Sequence, residues 1–243
     1  MDDNIKLQKY ISECGLMSRR VAETEIALGH ITVNGQKVEV GRRIDPSVDA
    51  VEYLGKPVEP KTSGDVSIIL NKPRGYVTTM RDEKGRRCVA DLVNDIPIRV
   101  YPAGRLDMMS EGLLIMTSDG ALANKLTHPK NHIPKTYHVK ISSFVTPEQL
   151  KALNSPMEID GYTIKPAKAE VLTLKQNETV LKIVLFEGRN RQIRKMCEKL
   201  ELNILSLRRI AIGDILLGNL KPGKWRKLTK AQIDYLKKYK SNT

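Results

Sequence analysis

The stretch GRLDMMSEGLLIMTSDG, residues 104–120, sets Arg105 and Asp107 one residue apart just ahead of an apolar run. Leu113-Leu114-Ile115-Met116 has the length and make-up of a short buried strand, and Ser118-Asp119-Gly120 ends it. An ion pair so close to a core is either scaffolding or chemistry. On composition alone, scaffolding is the more ordinary reading. A second arginine-rich element, EGRNRQIRKM (187–196), shifts the balance. There Ile193, Met196 and Cys197 form the apolar stripe of a helix, so Arg191, Arg194 and Lys195 point away from it, toward a partner or a site. A carboxylate held by two guanidinium groups stays ionised even in a poorly solvated pocket and can serve as nucleophile or base. Arginine also suits phosphate, so a plain contact to an RNA backbone stays open for this element.

Other residues offer weaker signals. LNKPRGYVTT (70–79) presents Lys72 and Arg74 around a proline turn, most often just the end of a strand. KTYHV places Tyr137 in an alternating strand. A core tyrosine is the ordinary reading, and a ring stacked on an extruded base, worth roughly 1–3 kcal/mol, is the functional one. Histidines 128, 132 and 138 invite a metal, but HPKNH straddles Pro129 in a turn and no Cys or Glu cluster joins it. No metal site is expected. There is no GxGxxG, Walker loop or Gly-x-Ser-x-Gly, so no nucleotide cofactor or serine-hydrolase chemistry is expected either.

The chain that must position these groups has 243 residues, 40% of them hydrophobic, and no apolar run of membrane-spanning length. Its opening, MDDNIKLQKYI, lacks the pattern of a signal peptide, and no membrane partner is expected. Cys14, Cys88 and Cys197 are odd in number and far apart, which predicts reduced thiols and a cytoplasmic location. The formal net charge of +13 favours a polyanionic partner. It is uneven: residues 1–60 hold eight Lys and Arg against ten Asp and Glu, and the remainder holds 33 against 18. Aromatics are only 5%, too few for a broad stacking platform.

The spacing predicts two domains, residues 1–62 and 63–243. In the first, Leu7, Tyr10, Ile11 and Cys14 fit a helix closed by Gly15, and Ser18 caps a second helix with Val21, Ala22 and Ile26 on one side. ITVNGQKV reads as a hairpin with a type I′ turn at Asn34-Gly35, and VEYLGKPVEP as a further strand pair. Residues 60–65 have linker composition. Beyond them come a strand at 66–73, a strand at 136–141 and a helix from Thr146 with a capping box. A turn at Asp160-Gly161, a strand pair around 175–178, the arginine-rich helix and a last helix capped by Thr229 follow. Many hairpins with helices between them predict an α+β fold on a mostly antiparallel mixed sheet with flanking helices.

LNKPRG, GRLDMMSEGLLIMTSDG, KTYHV and EGRNRQIRKM, in that order, resemble the ribosomal-RNA pseudouridine synthases of the RsuA/RluB type. The LRRIAIGDILLGNLKPGKWRKLT tail resembles their closing segment. GLMSRRVAETEI and ITVNGQKV resemble the S4-like RNA-binding module of a small-subunit ribosomal protein. Ser110 stands where that family usually has threonine, which keeps the hydroxyl. The resemblance implies isomerisation of uridine to pseudouridine with no cofactor, carried by a required aspartate, Asp107. It implies that Arg105 helps organise the site, that Tyr137 packs against the target base and that Arg194 pairs with Asp107. Lys72, Arg74, Arg189, Arg191 and Lys195 are expected to contact RNA. In the first domain, Arg19, Arg20, Lys37, Arg42 and Arg43 are expected to form a local basic face. HPKNHIPKTYHVKI and the short basic C-terminus are closer to the large-subunit branch. The expected partner is therefore large-subunit ribosomal RNA, within an assembling subunit, bound by a monomer. The alternatives are a non-enzymatic assembly factor on the same fold and a synthase for small-subunit rRNA. A helix-turn-helix DNA binder is disfavoured for want of a recognition helix or dimer seam.

Overall fold

The computed structural model describes residues 4–61 and 64–240. The chain divides into two compact units, residues 1–66 with 118–120, and the remainder. The boundary expected between residues 62 and 63 falls on residues outside those described. Residues 118–120 join the first unit because Ser118 donates its amide to the Val66 carbonyl (2.9 Å) and its hydroxyl to Asp65 (2.8 Å).

In the first unit, β1 (Ile5–Lys6) leads into α1 (Leu7–Glu13), and Gly15, at φ +83°, turns the chain after that helix. Helix α2 (Arg19–Ala27) starts on Ser18, whose hydroxyl accepts the Val21 amide at 3.2 Å. β2 (Ile31–Val33) and β3 (Gln36–Lys37) form the expected hairpin, with Asn34 and Gly35 both at positive φ. β4 (Arg43–Ile44) pairs with β1, while β5 (Val51–Tyr53) and β6 (Lys56–Pro57) complete a four-stranded sheet in the order β3-β2-β5-β6. Leu7, Ile11, Ala22, Ile26, Ile31 and Ile44 form its core. Val21, expected beside Ala22 and Ile26, is exposed instead. It lies a third of a turn off the line of those two residues, on the solvent edge of the helix.

The second unit begins with β7 (Ser67–Lys72), buried throughout, then β8 (Tyr101–Pro102) and β9 (Glu111–Thr117). Helix α3 (Gly120–Thr127) follows, then β10 (Lys135–Ile141) and α4 (Pro147–Leu153) with its Thr146–Gln149 capping box. The short hairpin β11 (Met157–Ile159) and β12 (Tyr162–Ile164) turns at Asp160-Gly161. β13 (Lys168–Lys175), β14 (Glu178–Leu185), α5 (Gln192–Lys199), β15 (Ile204–Ile212), β16 (Ile215–Leu216), β17 (Trp225–Lys227) and α6 (Lys230–Lys238) complete it.

Among the described residues nine strands form one sheet, along the path β13-β14-β10-β15-β9-β7-β17, with β16 on β15 and β8 on β9. Every pairing between these strands is antiparallel except β9 with β15. Gly112 makes that parallel contact possible. It sits at φ +106°, and a Cβ there would stand 2.2 Å from the Arg209 carbonyl oxygen. Leu113, Ile115, Leu122, Leu126, Ile212 and Leu236 lie in one core that fixes the sheet against α3 and α6. Among the described residues no helix is long and apolar enough to cross a membrane.

Candidate active site

In the second unit a cleft of about 660 Å³ is bounded by the segment before β9, the cleft-facing side of β10 and β15, and the approach to α5. That size suits a nucleotide-sized ligand. The Arg105–Ser110 segment supplies one wall. Thr78 fixes it, its hydroxyl donating to the Leu106 carbonyl (2.6 Å) and accepting the Leu106 amide (3.2 Å). Leu106 is thereby buried, and its neighbours Arg105 and Asp107 both line the cleft.

Asp107 keeps about a third of its side chain exposed and has Arg194 Nε 3.8 Å from its Oδ2. Arg194 projects from α5. Its Nη2 donates to the Met109 carbonyl (2.8 Å) and the Ser110 hydroxyl (3.2 Å). Burial lowers the Arg194 pKa most, Asp107 opposes that shift, and the nearby Arg191 and Arg74 add to it. The guanidinium thus binds the backbone of the segment carrying Asp107 as well as facing the carboxylate. Among the described residues one guanidinium, not two, stands at ion-pair distance from Asp107. Arg105 is exposed in the cleft and makes no ion pair among the described residues, because residues flanking a buried Leu106 project outward rather than into each other.

Tyr137, 9% exposed, lines the same cleft from β10. It sits opposite Arg209 of β15 in the sheet register. The geometry therefore gathers Asp107, Arg105 and Tyr137 around one cavity, with Arg194 behind the aspartate.

Lys72, expected to contact RNA, does not reach solvent. It is 0% exposed, and its ammonium donates to the carbonyls of Ser110 (2.8 Å), Pro73 (3.0 Å), Asp107 (3.1 Å) and Met108 (3.4 Å). A strand-end lysine is buried here because four backbone oxygens replace its water. Burial pushes its pKa down to about 8, against the pull of Asp107 and Glu111. Lys72 is therefore a tether for the Asp107 segment and not an RNA contact.

Arg189 and Arg191 are exposed at the cleft, and Arg189 lies over the Tyr162 ring, 3.2 Å from its centroid. Arg74 is exposed, with Nη1 on the Leu205 carbonyl (3.3 Å). Lys195 is not in the cleft lining; its ammonium pairs with Asp160 of the β11–β12 turn. In the first unit Arg19, Arg20, Lys37, Arg42 and Arg43 are all exposed, and Arg43 donates to the Asn4 carbonyl at 2.7 Å.

Three cleft residues lie outside the sequence-based expectation. Arg209 is 4% exposed, its Nε donating to the Leu113 carbonyl (2.7 Å) and its Nη1 to the Arg105 carbonyl (3.4 Å). The signal for it is alternation in ILSLRRIAI, where Leu207, Arg209 and Ala211 are the buried set. Lys135 shares the cleft-facing side with Tyr137 two residues on, again a period-two pattern. Thr78 carries no sequence signal beyond its hydroxyl.

Comparison with known proteins places this arrangement. Residues 66–199 match the family described as RNA pseudouridylate synthase, and residues 5–49 match the S4 domain. The chain belongs to the RNA pseudouridine synthase family, with an S4 RNA-binding domain ahead of the catalytic one. It is 40% identical over 234 residues to an uncharacterized RNA pseudouridine synthase of Aquifex aeolicus, covering 96% of this chain and 93% of that one. It is 39% identical to ribosomal large subunit pseudouridine synthase B of Bacillus subtilis, covering 96% and 95%. A crystal structure of a pseudouridylate synthase, 28% identical, superposes with a TM-score of 0.69 over 96% of this chain and 99% of that one. The protein is thus an RNA-binding isomerase of uridine.

Proposed function

We propose that the enzyme isomerises a uridine of large-subunit ribosomal RNA, with Asp107 as its catalytic carboxylate and no cofactor. The observation that carries the chemistry is the Asp107 carboxylate, open to a nucleotide-sized cleft and faced by Arg194 Nε at 3.8 Å. Glycosidic cleavage needs an ionised, held carboxylate, whether it attacks the sugar or takes a proton from it. The uracil then turns in place and rejoins the ribose through carbon. Tyr137 offers the ring against which the base packs while detached. The near full-length relative named for the large subunit supports the choice of RNA.

Flipping a uridine out of folded RNA costs a few kcal/mol. Exposed Arg105, Arg189 and Arg191 at the cleft, together with the S4 domain, supply binding energy that offsets it. We take the enzyme to act as a monomer on the assembling subunit, in the cytoplasm, where Cys14, Cys88 and Cys197 remain free thiols.

Carbodiimide primer-extension mapping of pseudouridine tests the reading. Unmodified large- and small-subunit rRNA transcripts, and precursor particles, are treated with wild-type protein or Asp107→Asn. A new stop on large-subunit RNA with wild type alone is expected. A stop that persists with Asp107→Asn overturns the role of the aspartate, and a stop confined to small-subunit RNA overturns the substrate.

A further inference from the structure

The cleft holds more positive charge than its own acids can use. Among its lining residues, the Asp107 carboxylate faces Arg194, and Glu187 accepts from Gln192 (3.1 Å) and the Lys165 amide (3.1 Å), with Arg189 3.7 Å away. Two cations on the sheet side of the cleft are left over. Arg209 is 4% exposed and satisfies two backbone carbonyls, but its Nη2 is buried without a hydrogen-bond partner. An unpartnered donor in so dry a place costs free energy, and the guanidinium charge it carries is poorly screened toward the cleft. Lys135 makes no side-chain hydrogen bond or ion pair among the described residues. Its pKa is lowered to about 8, by burial first and by Arg209 second, so the two charges sense each other across the strands.

Register places them relative to the base. Tyr137 is directly opposite Arg209, and Lys135 stands two residues before Tyr137 on the same face of β10. Two residues along a strand span roughly 6.5–7 Å, about the breadth of a pyrimidine lying against the tyrosine ring. The exposed arginines of the cleft are the better phosphate ligands, since a phosphate there keeps part of its hydration. Half-buried Lys135 and buried Arg209 suit an anion of diffuse charge.

We propose that Lys135, backed by the buried guanidinium of Arg209, forms a subsite for a carbonyl oxygen of the detached uracil. This rests on the pseudouridine synthase reading of the cleft. When the C1′–N1 bond breaks, its electron pair leaves with the uracil, and the negative charge spreads over N1 and the two carbonyl oxygens. The two cations stabilise that charge in place while the ring turns. C5 then bonds to C1′, the C5 proton is lost, and N1 takes up a proton, so no oxidant or co-reactant is required. Prearranged donors in a water-poor site act more strongly on this developing charge than on the neutral base of the bound uridine. Lys135 is in this sense a catalytic residue that touches the substrate, and Arg209 acts on the same charge through its field from behind the cleft wall.

The test uses the full-length enzyme and a substrate RNA carrying uridine, 2-thiouridine or 4-thiouridine at the target, since sulfur is a weaker acceptor. Lys135→Met is expected to lower the single-turnover rate by roughly 10²–10³-fold with RNA affinity unchanged, and Lys135→Arg to restore most of it. One of the thio substitutions is expected to slow the wild type and to cause no further loss in Lys135→Met. A wild-type rate in Lys135→Met, or thio and lysine effects that simply multiply, overturns the proposal. A loss of affinity coupled to a methylphosphonate flanking the target identifies a phosphate ligand instead and also overturns it. Turnover retained in Asp107→Asn sinks the underlying reading of the cleft, independently of any result at Lys135.

Discussion

Replacing Lys72 with methionine separates tethering from binding. The change removes an ammonium that touches no solvent and four carbonyl oxygens. Two of those oxygens keep another donor: the Met108 carbonyl accepts from the Gly75 amide (2.8 Å) and the Asp107 carbonyl from the Ser110 amide (3.0 Å). The carbonyls of Pro73 and Ser110 lose their charged partner, at about 1–3 kcal/mol each. Against this, keeping the ammonium charged in its dry site, with its pKa moved from 10.5 to about 8, costs on the order of 3 kcal/mol that the methionine does not incur. The two effects nearly offset, so global stability should fall by no more than roughly 3 kcal/mol. Activity should respond far more. The freed segment carries Asp107, and a displacement of about 1 Å costs on the order of 10²-fold in rate. Urea denaturation, single-turnover kinetics and RNA affinity on the same variant read all three quantities. A wild-type turnover rate would refute the tether, and weakened RNA binding at an unchanged rate would show that Lys72 meets the RNA after all.

Gly112→Ala should lose roughly 2–6 kcal/mol, from a strained positive φ and a Cβ driven into the Arg209 carbonyl, read as a lowered urea midpoint. Lys72 and Lys135 titrate near 8 in the folded protein and near 10.5 when unfolded, so between those values the unfolded chain binds more protons. On their account stability rises from pH 8 to 10.5 while activity falls as they discharge; parallel loss of both in pH-dependent melting and turnover would contradict this. Arg194→Ala should retain RNA binding and lose turnover by roughly 10²-fold through a misplaced Asp107 segment, whereas equal loss of both would make it a plain RNA ligand. Arg19→Glu with Arg20→Glu should weaken RNA affinity and flatten its salt slope by about one for each phosphate no longer neutralised; unchanged affinity removes both residues from the interface.

Local rules carry much of this fold. The Leu113–Met116 run is a buried strand, Thr146 and Thr229 each begin a helix through a capping box, and Asn34-Gly35 and Asp160-Gly161 turn hairpins at positive φ. Helix α3 is a different case. Ser118-Asp119-Gly120 reads as punctuation, yet GALANKLT continues at once as a helix because Leu122 and Leu126 dock on the sheet core. That Asp107 and Tyr137 share a site is an expectation from the family resemblance of the motifs around them, since residue type alone favours a structural ion pair and a core tyrosine. Arg209 is legible only as a buried position, from alternation along its strand; its role depends on β15 lying between β9 and β10, and its bond to the Leu113 carbonyl spans 96 residues of chain. Lys72 misleads for the converse reason. Charge at a strand end normally means solvent, and only the loop wrapped around it makes burial tolerable.

The place of β15 in the sheet has a consequence for the order in which the chain is made. β13, β14 and β10 form one antiparallel set and β9 with β7 another, and β15 is the strand that joins them. Asp107 precedes β9, whereas Tyr137 belongs to β10. Until residues 204–212 have left the ribosome, the aspartate and the tyrosine belong to separate hairpins. The two halves of the site therefore meet only when that single strand, which follows both of them in sequence, closes the sheet.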